Sequence, residues 1–84
     1  MSDTPDYIEL DDGKATITLT DGKTITMREP TVKDLRVANK KSKNSEEVEL
    51  ALIADLCEVA PTDIDALTLK NYGRVQEAFK LFTI

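Results

Sequence analysis

The side chains that carry most protein chemistry are thinly supplied in this chain. Histidine is absent, and the single cysteine, Cys57, has no second thiol or imidazole to activate it or to complete a metal site. Cys57 falls on the apolar side of a helical pattern, which gives it the part of a small buried hydrophobe. Gly13, Gly22 and Gly73 are isolated, so no glycine-rich phosphate loop is present. The carboxylates are dispersed along solvent faces without a paired acid and base, and Asp34 reads as a helix cap. These absences argue against the common hydrolase, zinc-enzyme and nucleotide-binding classes. No catalytic residue, cofactor or metal is expected, and the chain reads as a protein that works by binding.

Two constellations could do that. Lys33, Arg36, Lys40, Lys41 and Lys43 form a basic segment over residues 33–43 that could meet phosphates. It lacks interleaved aromatics, however, and cations late in a helix are what the macrodipole favours. A second option is that this basic face docks on the acidic segment 44–67, within the molecule or in a second copy. The other constellation is apolar: Tyr72, Val75, Phe79 and Phe82 recur at i, i+3, i+7 and i+10, one face of a helix. Such stripes ordinarily pack inward. Leu81, off the stripe, and Phe82, near its end, are the members expected to stay available to a partner.

Composition sets the frame for these elements. At 84 residues the chain has room for one domain, burying about 60% of its unfolded surface, with residues 1–6 expected to be disordered. It is 40% hydrophobic and 32% charged, without tryptophan, and its net charge of -5 disfavours bulk attraction to nucleic acid or anionic membrane. The charge is segmented: residues 1–27 carry -4, 28–43 carry +4, 44–67 carry -7 and 68–84 carry +2. No stretch approaches the roughly 20 apolar residues of a membrane span, and the opening MSDTPD lacks a signal peptide's basic and apolar regions. The location expected from this is the cytoplasm.

The alternation Ala15-Thr16-Ile17-Thr18-Leu19 and Thr24-Ile25-Thr26-Met27 around Asp21-Gly22 predicts a hairpin. A two-residue loop would put Ile17 and Ile25 on opposite faces. A three-residue loop, with Thr20-Asp21 in a type I turn and Gly22 left-handed, pairs Ile17 with Ile25 and Ala15 with Met27. Upstream, a two-residue turn at Asp12-Gly13 sets Leu10 opposite Ala15 and Ile8 opposite Ile17, extending the hairpin to a three-strand meander.

After Pro30, Thr31 and Asp34 make a near-capping box for a helix over 32–41, with Val32, Leu35 and Ala38 as a thin apolar stripe. Ser45 caps the next helix, about 46–60. Leu50, Leu52, Ile53, Leu56, Cys57, Val59 and Ala60 fill an arc of roughly 180°, so this helix should be packed on two sides, with Glu47, Asp55 and Glu58 outside. Pro61 stops it, residues 62–65 form a short turn presenting Ile64 and Leu67, and Thr68 or a neighbour caps the last helix. The expectation is an α+β fold: a hairpin or three-strand meander, then three or four helices.

The run Thr24 to Thr31, with its Arg28-Glu29-Pro30 ending, resembles the short tail assembly chaperones of Mu-like and related contractile-tailed phages. So do Asp34-Leu35-Arg36, Ala60-Pro61-Thr62-Asp63-Ile64 with Leu67, and Tyr72-Gly73-Arg74-Val75-Gln76-Glu77-Ala78-Phe79. The similarity spans about residues 15–82. Asn71 stands where the family leads us to expect an acid, and the hairpin loop is shorter than in many relatives. The resemblance implies a host-cytoplasmic protein, absent from the mature virion, that binds the phage tape measure protein before or while tube subunits polymerise around it. The tail tube protein is a second candidate partner and a homo-oligomer a candidate state. The stripe on the last helix, with Leu81 beside it, makes Tyr72, Val75, Phe79, Leu81 and Phe82 the expected partner contacts, and the family motif implies a structural role for Arg28, Glu29, Pro30, Asp34 and Leu35. Two other readings stand beside it: a small nucleic-acid-associated regulator using segment 33–43, and a minor structural tail protein.

Overall fold

The computed structural model describes residues 4–83. An antiparallel sheet in the order β1 (Ile8–Asp11), β2 (Lys14–Thr18), β3 (Thr24–Arg28) is followed by four helices, α1 (Val32–Lys41), α2 (Ser45–Cys57), α3 (Pro61–Asp65) and α4 (Leu69–Phe82). This is the α+β meander-and-helices architecture that the sequence pattern predicts. Of the N-terminal segment expected to be disordered, residues 1–3 lie outside the described residues. Residues 4–6 lead into β1, where the Pro5 carbonyl accepts from the Ile8 amide at 3.0 Å.

Both strand registers follow from turn chemistry. Asp12 and Gly13 take φ 48° and 78°, the paired positive values of a two-residue turn, and Leu10 faces Ala15 while Ile8 faces Ile17. At the second hairpin the Gly22 amide donates to the Leu19 carbonyl at 3.0 Å and the Leu19 amide to the Lys23 carbonyl at 2.7 Å. This closes a three-residue loop with Gly22 at φ 89°, and Ile17 pairs with Ile25 and Ala15 with Met27. One sheet face therefore gathers Ile8, Ala15, Ile17, Leu19 and Met27, all buried. Three strands alone would leave that face wet, and the helices cover it: α2 packs on β3 and α4 on β2.

The central helix, α2, differs from its expected form at both ends. Its cap is Asn44 rather than Ser45, because the Asn44 carboxamide oxygen accepts from the Glu46 and Glu47 amides at 2.8 and 3.4 Å while Ser45 is already helical. It ends at Cys57, not at 60. Glu58 turns left-handed at φ 56°, its amide donating to the Asp55 carbonyl and that of Val59 to the Ala54 carbonyl, a Schellman ending. Pro61 therefore opens α3 instead of stopping α2, and Ala60, beyond the helix, is exposed. Leu52, Ile53, Ala54, Leu56 and Cys57 are buried between the sheet, α1 and α3, as a wide apolar arc requires. Burial pushes the Cys57 thiol up to about 11, which keeps it protonated.

The stripe expected along α1 is only partly buried. Ala38 is fully covered, but Val32 is 76% and Leu35 48% exposed. The helix meets α2 through its middle rather than its start. Ala38 is small enough to let α1 approach α2, while Val32 and Leu35 on the first turn stay largely in water.

Candidate functional site

The exposed start of α1 and the end of α4 face one another across a groove of about 290 Å³, lined by Pro30, Thr31, Val32, Leu35, Leu52, Phe79, Phe82 and Thr83. Its walls are carried by firmly held elements. Phe79 and Phe82 project from α4, which is anchored by fully buried Val75 and Ala78. Leu52 belongs to the buried side of α2. Val32 and Leu35 are held by the corner between β3 and α1.

That corner is built by Arg28 and Asp34. The two guanidinium nitrogens donate to the two carboxylate oxygens at 2.7 and 2.8 Å, a bidentate pair. The same carboxylate accepts from the Thr31 amide at 2.8 Å, and the Thr31 hydroxyl accepts from the Asp34 amide at 3.2 Å, completing a capping box. The Arg28 hydrogen bonds, followed by those from Thr31, hold the Asp34 carboxyl well below the usual carboxylate range. Asp34 in turn raises the Arg28 pKa. Glu29 extends the strand by one bond, its amide donating to the Gly13 carbonyl at 2.9 Å, and its side chain is exposed. Pro30 then enters the groove wall.

The residues singled out on the last helix divide four ways. Phe79 and Phe82 line the groove and are half-buried. Val75 is fully buried, so it supports α4 from inside and has no surface to offer a partner. Tyr72 turns its phenol to Glu49, donating at 3.1 Å, and the Gln76 amide shares the same carboxylate oxygen at 3.0 Å. Burial, with the Glu49 charge and hydrogen bond adding to it, pushes the Tyr72 pKa up to about 12. Leu81, expected to stay exposed, is half-buried against the core, about 160° around α4 from Phe79.

Val32 and Leu52 are groove residues that the stripe on the last helix did not bring forward. The available signal was Val32 directly after Pro30-Thr31, an apolar side chain on an unshielded first turn. Leu69, 89% exposed at the other end of α4, lies apart from the groove. A larger depression of about 350 Å³ between α1, α2 and α3 is ringed by Lys41, Glu47 and Asp65, charges of both signs.

A family model described as "Phage tail assembly chaperone proteins, E, or 41 or 14" matches residues 7–84. The chain belongs to this family of phage tail assembly chaperones. No curated protein and no solved structure matches it. Within this chaperone the match takes in the whole sheet, the Arg28–Asp34 corner and both walls of the groove. Among the described residues, no helix is long and apolar enough to cross a membrane.

Proposed function

We propose that this tail assembly chaperone binds the tape measure protein in the host cytoplasm, keeps it soluble and competent for tube polymerisation, and is left behind when the tube closes. The observation that carries this reading is the unfilled groove. Val32 and Leu35 remain in water beside Phe79 and Phe82, whereas the other exposed large apolar side chains, Leu10, Val37 and Leu69, line no such groove. A tape measure is a long helical chain whose apolar stripes are uncovered until tube subunits enclose it, and a helix laid in a hydrophobic groove is the recognition mode that fits both surfaces.

Co-expression with the tape measure protein of the same tail, comparing its soluble yield with and without the chaperone, tests the proposal. Capture that survives high salt, rescued yield, and loss of both in Val32→Asp and Phe82→Ala variants are expected. An unchanged yield without capture overturns it. If salt-sensitive binding to nucleic acid appears instead, the basic helix is the working surface and the regulator reading replaces this one. Retention of the chain in purified particles would point to a structural tail protein.

A further inference from the structure

The groove has a charged border on one side. At about 100° per residue along α1, Arg36 follows Val32 around the helix by about 40°, and Lys40 and Lys33 lie about 80° and 100° from it. All three are exposed, and their side chains make no hydrogen bond or ion pair among the described residues. Their acidic neighbour Asp34 is consumed by Arg28, and the next cation along, Lys41, by Asp55 at 3.2 Å. On α4, exposed Lys80 lies about 100° around the helix from Phe79, and Glu77 about 160°. The acidic chain thus presents its apolar groove with uncompensated positive charge beside it.

We infer that the groove takes a short amphipathic helix of the partner whose apolar stripe is bordered, on the α1 side, by glutamate or aspartate. This rests on the reading of the chain as a chaperone for a helical protein, and it specifies what such a helix must carry. The ten residues of α1 make a wall of about 15 Å, room for about three turns. Carboxylates on that helix meet Arg36, Lys33 and Lys40 at the solvated rim, where opposite charge speeds encounter and a like charge is repelled.

A second copy does not meet the requirement. The chain's own acidic helix, α2, has Leu52, Ile53, Leu56 and Cys57 buried in the core, and exposed Leu69 is followed by Lys70. Nucleic acid would use the cations but not an apolar floor of Leu52 and Phe79.

The test uses the full chain and three labelled helical peptides of about 14 residues with one leucine stripe, flanked by glutamate, glutamine or lysine. Fluorescence anisotropy should give affinities falling in that order, with the glutamate peptide about tenfold tighter than the lysine peptide near 0.05 M salt and the gap closing to about twofold near 1 M. An Arg36→Glu/Lys40→Glu variant should reverse the order. Val32→Asp should weaken all three, and its fold is protected because an acid suits the first turn of a helix.

Equal binding of the three peptides, each weakened by Val32→Asp, overturns the acidic border while the groove and the chaperone reading stand. Binding that ignores Val32→Asp, or no binding, overturns the inference. Tape measure capture in the co-expression experiment then shows separately whether the chaperone reading survives.

Discussion

Arg28 and Asp34 join the last strand to the first helix through two parallel hydrogen bonds of 2.7 and 2.8 Å, and the same carboxylate caps that helix through Thr31. One side chain therefore fixes both the direction of α1 and the height at which Val32 and Leu35 stand over the groove. The pair is partly open to water, so its worth is modest. What it supplies is geometry, because a fork on a carboxylate resists rotation in a way a point charge does not.

Replacing Asp34 by Asn should cost about 1–2 kcal/mol at neutral pH, counting the charged hydrogen bonds discounted for exposure. The folded carboxyl lies below its unfolded value near 3.9, so its contribution is fully present above that value and is lost as pH falls through the folded one. Urea midpoints measured from pH 7 down to about pH 2 should show the wild type converging on Asp34→Asn at the acid end. A gap that stays constant with pH would remove the ion pair from the account. Arg28→Lys should lose about 1 kcal/mol, since lysine cannot form the fork.

Asn71 is buried at the start of α4, and its side-chain oxygen accepts from the Thr20 amide at 2.9 Å, tying the hairpin loop to the helix. A carboxylate oxygen would accept the same bond, and an acid is favoured in a first turn. Asn71→Asp should therefore be neutral or stabilising by up to about 0.5 kcal/mol, while Asn71→Leu should cost about 1–2 kcal/mol by leaving the amide unpaired. Thermal melts of both variants check this. Equal losses would mean that the hydrogen bond contributes nothing.

Glu58 holds the left-handed position that ends α2, at φ 56°, where a side chain is strained and glycine is not. Glu58→Gly should stabilise by roughly 0.5 kcal/mol, the relief of strain exceeding the extra freedom of the unfolded chain, and raise Tm by about 3 °C. Glu58→Val should lower Tm instead. A glycine variant that melts lower would show that the glutamate side chain contributes more than its conformation costs.

Much of the fold was legible locally because the deciding interactions are local. The two turns at Asp12-Gly13 and Thr20-Asp21-Gly22 set the strand pairing through parity and positive φ, so Ile17 had to oppose Ile25. Thr31 and Asp34 are three apart, within reach of each other in a first turn, so α1 began where the capping box placed it. The ends of α2 were less legible. Asn44 and Ser45 are both good caps, and a left-handed glutamate has no composition signal, so competition between neighbouring backbone hydrogen bonds decided the boundary.

The sequence by itself determined the meander, the helices and the family, because turn types, caps and periodicity are contained within a few residues. Only the tertiary structure decided which apolar residues stay exposed. Val75 went inward and Leu81 became half-buried, while Val32 and Leu35 stayed out. Exposure depends on what packs opposite, and the wall facing Val32 is made by Phe79 and Phe82 from the far end of the chain.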